Sequence, residues 1–181
     1  IVDSTANNAV STTGQTSAYA VGTYTLPTVK NDENFLVQQA ALDSDGHTFI
    51  GRFPGSLANS LRVSICPPSL NDSAFNGWTY KSSFDAAPST STFASNNDGT
   101  NDEVHVAIVD VNGEFSGTKG TVLETYPYLS VATNAVNADD GGNIYVKDVI
   151  NTNSQYVHFV NFDSNFTNFG NAGTAITPGT T

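Results

Sequence analysis

The apolar positions of this 181-residue chain fall in short runs rich in β-branched residues, and most of them read as strands. The strongest is Glu103–Val111 (EVHVAIVDV), nearly continuous in apolar residues and ended by Asn112-Gly113. That dipeptide predicts a tight hairpin, because both residues tolerate positive φ, with the return strand opening at Glu114–Phe115. Gly117 and Gly120 bracket an exposed loop, and Thr121–Tyr128 is the next strand, broken at Pro127. Leu61–Cys66 alternates and is stopped by Pro67-Pro68; Val21–Leu26 is a short strand stopped by Pro27. Gln155–Phe162 alternates strictly, with Tyr156, His158 and Val160 opposite Val157, Phe159 and Asn161.

Other segments are less one-sided. Asn34–Leu42 has the Ala and Gln of a helix, with Asn34 as its cap, and is closed by a turn at Asp43–Gly46. His47–Phe53 suits a strand or a short helix ending at Pro54-Gly55. Ile144–Ile150 also suits both, and a short helix is the preferred reading; Leu129–Ala138 is weakly helical at most. Asn96–Asp102 and Asp139–Asn143 are turns or loops. Between residues 69 and 103, Trp78, Tyr80, Phe84 and Phe93 anchor a long surface segment onto the core. The expected fold is α+β and β-dominant, mostly antiparallel sheet with two or three short helices. Residues 1–18 read as an extended lead-in or linker, 19–165 as the folded region, either one unit or two divided near residue 100, and 166–181 as a frayed end.

Composition narrows the functional classes. Six Lys and Arg stand against 17 Asp and Glu, giving a net charge of −11. The basic residues Lys30, Arg52, Arg62, Lys81, Lys119 and Lys147 are spread out and form no patch for a nucleic-acid backbone or an anionic membrane. No apolar run approaches the roughly 18 residues of a spanning helix. Charged residues are only 13% of the chain, against a usual share of about 25%, so Asn, Ser, Thr and Gly carry the polar load. Cys66 is alone, which excludes an internal disulfide and a cysteine-based zinc site.

Candidate chemistry is sparse. His47, His105 and His158 have no G-x-S-x-G elbow to serve, and His105 and His158 read as structural imidazoles within strands. The acidic turns at 43–46, 96–102 and 139–143 lack the closing Glu of a calcium loop. No carboxylate spacing points to a glycosidase pair. Asn71-Asp-Ser73 and Asn165-Phe-Thr167 fit a glycosylation acceptor, a tripeptide frequent by chance in such a composition. Cys66 reads as a small buried hydrophobe. No cofactor and no catalytic residue is expected.

Three stretches carry a resemblance. They are FIGRFPGSLANSLRVSI at Phe49–Ile65, then FDAAPSTS at Phe84–Ser91 with DEVHVAIVDVNGEFSGTKGTVLETYPYLS from Asp102, and NIYVKDVINTNSQYV at Asn143–Val157. In this order they resemble the tail sheath protein of contractile-tailed, T-even-like phages over roughly residues 47–160. The matching positions include Pro54, Gly55, Asn59, Phe115, Gly117, Thr118, Gly120, Leu123, Glu124, Asn151, Ser154 and Tyr156. Ala58 departs from the family, which usually has Gly there. The resemblance implies a structural subunit rather than an enzyme. Its partners would be other copies of itself, in stacked hexameric rings forming a helical array. They would also include the tail tube protein and the baseplate or terminator proteins, met largely through regions outside this stretch. It implies a virion location after assembly in the host cytoplasm, and no nucleic-acid or membrane partner. It also implies a longer, multidomain subunit, of which a chain with no Met, beginning at Ile1, would be an internal piece. The rival reading is a secreted or surface carbohydrate-binding β-domain, with Trp78, Tyr80, Tyr126 and Tyr128 stacking on sugars.

Overall fold

A computed structural model describes residues 7–10, 27–44 and 47–161. They form two three-stranded antiparallel sheets with short helices, so the fold is β-dominant α+β. One sheet has the order β1 (Asn8–Val10), β2 (Phe49–Pro54), β6 (Val157–Phe159); the other runs β3 (Leu61–Cys66), β4 (Glu103–Asp110), β5 (Thr121–Ser130). Four α-helical segments accompany them among the described residues: α1 (Asp32–Ser44), α2 (Ser73–Gly77), α3 (Thr92–Asn96) and α4 (Val146–Asn153).

The period of two along the strands decides the layering, because successive side chains leave opposite faces. On β6, Val157 and Phe159 enter the main core, while Val160, just beyond it, joins the smaller one. Their partner strand does the same: Phe49 faces the main core and Ile50 the smaller one. The main core gathers Phe49, Val157 and Phe159 with Val104, Val106 and Ile108 of β4 and Val146 and Ile150 of α4. The smaller core is closed by α1 through Phe35 and Leu42. Burial of each such Val, Ile or Phe side chain is worth roughly 1.5–3 kcal/mol. β4 is central and covered on both faces, which accounts for its unbroken apolar run: every residue from Val104 to Asp110 is buried.

Polar side chains join the elements. Asn8 is buried; its Nδ2 donates to the Val29 and Gly51 carbonyls (2.9 and 2.7 Å), and its Oδ1 accepts the Val29 N–H at 2.7 Å. Arg52 donates to the carbonyls of Val157 (3.2 Å) and Asn151 (2.8 Å) and pairs with Asp32 of α1. His158 stacks on Phe35 at 4.2 Å, with ring planes 9° apart.

Several expectations change. The α1 cap is Asn31, whose Oδ1 accepts the Asn34 N–H (2.8 Å), while Asn34 Oδ1 accepts the Lys30 N–H (3.2 Å). Asn34 is therefore a reciprocal partner inside the helix rather than its cap. The helix runs through Asp43 and Ser44, and the other half of that predicted turn lies outside the described residues. So do Val21–Leu26, Asn165, the whole segment 166–181, and 1–18 apart from residues 7–10, where Asn8–Val10 is a strand. Asn112-Gly113 does not make a two-residue hairpin; the return strand begins only at Thr121. Pro127 does not end β5, which continues to Ser130 through a bulge, and Leu129–Ala138 is strand end and turn, not helix. Ile144–Ile150 resolves as helix from Val146, and His47–Phe53 as strand from Phe49. Cys66 is buried, and loss of hydration pushes its thiol up to about 11.

Gly51 and Ala58 meet face to face: a Cβ on Gly51 would lie 2.5 Å from the Ala58 methyl. Ala58 sits in the 3-10 turn Ser56–Ser60 and is absent from the positive-φ residues, so glycine is not required there. Gly51→Ala should destabilise the fold by about 1–3 kcal/mol in chemical denaturation, as overpacking does. Adding Ala58→Gly should recover part of the loss; no recovery would show that the methyl contact is not its source. Burial, with Arg52 nearby, lowers His158 to about 4, from an ordinary value near 6.5. The unfolded chain therefore binds a proton that the folded chain refuses between those values. Stability should be complete above about pH 6.5 and decline towards about pH 4. His158→Gln should flatten that slope in thermal melts, and an unchanged slope would remove His158 as a contributor.

Candidate functional site

The turn after β4 is built around one carboxylate. Asp110 is fully buried and accepts six hydrogen bonds. Oδ1 takes the Ser60 hydroxyl and the N–H groups of Gly113 (2.9 Å) and Glu114 (3.0 Å). Oδ2 takes the N–H groups of Phe115 (2.9 Å) and Ser116 (2.8 Å) and the Ser116 hydroxyl (2.8 Å). Burial alone would raise this carboxyl; the donors overcome it, and the group lies well below the usual carboxylate range. The loop closes where Gly120 N–H reaches the Asp110 carbonyl at 2.7 Å. Gly113 is needed twice over, at φ 83° and with backbone atoms of Thr118 and Lys119 only 3.0 Å from where a Cβ would stand.

This loop presents Phe115 to an aromatic trio. Its ring lies 5.3 Å from Tyr156, at 90°, and 5.2 Å from Phe53. Phe53 leads into Pro54 and Gly55, where Gly55 (φ 93°) donates to the Asn7 carbonyl at 2.7 Å. Asn59 is exposed on the turn that follows, and Leu123 is half-buried on β5. Gly117 (φ 79°) and Gly120 (φ 80°) flank Thr118, whose carbonyl accepts the Thr121 hydroxyl at 2.8 Å. Glu124 reaches from β5 to the turn before β6: Oε1 accepts the Gln155 N–H (2.8 Å) and Oε2 the Tyr126 hydroxyl (2.9 Å). Burial first, then that carboxylate, raises the Tyr126 phenol. Asn151 clamps β6, exchanging two bonds with the Phe159 backbone at 2.7 and 2.8 Å. Ser154 Oγ accepts the N–H groups of Tyr156 (3.2 Å) and Val157 (3.1 Å).

Phe115, Glu124, Asn151, Ser154 and Tyr156 are thus tied through shared contacts around the α4–β6 turn. Asn59 and Leu123 make no side-chain hydrogen bond within that cluster. The cluster holds chain segments together; among the described residues no group of three or more His, Cys, Asp or Glu is placed to bind a metal.

On the other face of β4, His105 is ringed by aromatics. Phe84 stacks on it at 4.6 Å, Trp78 lies at 6.4 Å, and Tyr128 and Phe75 meet it edge-on. Trp78 Nε1 donates to Ser64 Oγ at 2.8 Å, and the Tyr128 hydroxyl donates to Asp85. That carboxylate raises the Tyr128 phenol to about 12, and the same bond lowers Asp85. Trp78, Tyr80, Tyr126 and Tyr128 all make contacts within the chain, Tyr80 meeting Trp78 edge-on at 5.8 Å, and all four are half-buried.

A second buried carboxylate, Asp102, accepts the Ser91 N–H (2.8 Å), the Ser91 hydroxyl (2.7 Å) and the Ser130 hydroxyl, tying the start of α3 to the end of β5. Neither Asp110 nor Asp102 stands out in sequence except as an Asp at one end of the apolar run of β4.

Removing the Asp110 charge should open the loop. In Asp110→Asn the amide nitrogen turns a donor towards N–H groups that need acceptors. Hydrogen exchange at residues 113–116 should accelerate on the order of tenfold or more, with β3 and β4 less affected. The carboxylate's own contribution is full above about pH 4 and falls as acid protonates it below that. Unchanged exchange in the variant would mean that the donors, not the charge, shape the loop.

No family model matches the chain. A search of curated proteins finds the tail sheath protein of Salmonella phage ViI, 30% identical over 95 residues. The aligned stretch is 52% of this chain and 12% of that protein, so the chain spans a small part of the relative it resembles.

Proposed function

We propose that this chain is part of a tail sheath subunit of a contractile-tailed phage, a structural element rather than an enzyme. In this reading it polymerises with copies of itself into stacked hexameric rings around the tail tube, and contraction drives the tube through the host envelope. The observation that carries it is the 30% identity to a phage tail sheath protein over half of the chain. The gathering of Phe115, Glu124, Asn151, Ser154 and Tyr156 around one turn supports it, because these positions come from two of the three stretches that resemble the family. A repeated head-to-tail contact whose rotation does not close generates such a helical array, and two packings of one subunit supply the contraction.

Immunogold labelling of virions with an antibody raised against this chain tests the assignment. Gold should decorate the outside of the tail along its length, spaced with the sheath rings. Label confined to heads or baseplates, or absent from tails while the purified chain is retained on immobilised glycans, would overturn it.

A further inference from the structure

We propose that His105 is a proton-operated latch, which holds the aromatic segment 75–86 to the central strand in both protonation states but the bulged end of β5 only while its imidazole is neutral. The ring is fully buried, and each nitrogen serves a different element. Nδ1 accepts the Tyr128 backbone N–H at 3.0 Å. With Nδ1 an acceptor, the proton lies on Nε2, which donates to the Ala86 carbonyl at 2.8 Å. The bulge makes the first bond decisive. Val104 pairs with Leu129 and Val106 with Tyr126, so Pro127 and Tyr128 together oppose His105. Pro127 has no N–H, and Tyr128 holds φ 52°, a region costly for an aromatic residue. The imidazole supplies what the ladder does not.

A second proton has one place to go, Nδ1. There it turns the acceptor into a donor facing the Tyr128 N–H, while the Nε2 bond to Ala86 survives and strengthens. Protonation therefore releases β5 and keeps the segment side. Tyr128 then relaxes from its left-handed conformation and draws its hydroxyl away from Asp85. The ionisable groups around the ring are Asp85 from the 75–86 segment, Tyr128 from β5, Cys66 opposite on β3 and Glu103 two positions along β4. Burial disfavours the imidazolium, while the Ala86 bond and then Asp85 favour it; burial prevails and places the transition on the acid side of the ordinary histidine range. The latch is closed at neutral pH.

Trp78 is the only tryptophan in the chain and lies beside the ring, so its fluorescence reads the charge on the imidazole. Fluorescence and the Tyr128 amide signal should be followed on the 181-residue chain from about pH 8 to about pH 4.5. Both should change reversibly with one midpoint below pH 6.5, and protection of the Tyr128 amide should fall roughly tenfold or more. His105→Gln offers an acceptor and a donor that do not titrate, and should abolish both changes; His158→Gln should leave them. Persistence of the transition in His105→Gln would overturn the latch. If that variant does not fold, the native ring decides. Nitrogen shifts showing the proton on Nδ1 at neutral pH, or a ring that titrates without the Tyr128 amide, would equally overturn it.

Discussion

A carboxylate taken out of water at the end of an apolar strand has to be met by hydrogen-bond donors, or the strand cannot be buried there. Asp110 meets this constraint by winding the following backbone around itself, so that four consecutive N–H groups point at two oxygens. The direction of the chain after β4, the width of the turn and the site where β5 begins all follow. So does the position of Phe115, which reaches back to Phe53 on one sheet and Tyr156 beside its neighbour strand. One charge thereby sets how the two sheets are joined at this end of the molecule.

The same solution recurs in uncharged side chains and once more in a carboxylate. Asn8 ties β1 to β2 and to the approach to α1, Asn151 ties α4 to β6, and Ser154 holds the turn between those two. Asp102 does for α3 and β5 what Asp110 does for the β4–β5 loop. A chain with 13% charged residues thus obtains its specific joints from short polar side chains bonded to backbone. Such joints are local in geometry and long in sequence: Asn8 reaches Gly51, and Glu124 reaches Gln155.

That span explains what was readable in advance. β3 and β4 could be placed from Leu61–Cys66 and the apolar run from Glu103, because burial on a pleated surface leaves a local pattern. The alternation around His158 holds from Val157 to Val160, although the strand is only Val157–Phe159 and Tyr156 packs against the same core as Val157. Asn112-Gly113 misled because its hairpin preference competes with a carboxylate two residues earlier that captures the neighbouring amides. Pro127 misled because a ring nitrogen from His105 replaces the missing regularity of the ladder. Resemblance to a family picked out Phe115 and Tyr156, but nothing in spacing says that residues so far apart meet. Arg52 and His105 leave no local signal because their partners are distant along the chain; Asp110 leaves none because most of its partners are backbone amides, which any residue type but proline supplies.

Cys66 ends β3 opposite His105, buried and with its thiol held protonated far above neutral pH. A thiolate is the reacting form, so in the folded chain this sulfur is chemically silent towards oxidants and alkylating reagents. It becomes reactive only when β3 separates from its surroundings. The chain consequently carries an internal clock for its own opening: the rate at which this single sulfur is modified counts the excursions of the second sheet, with no label added.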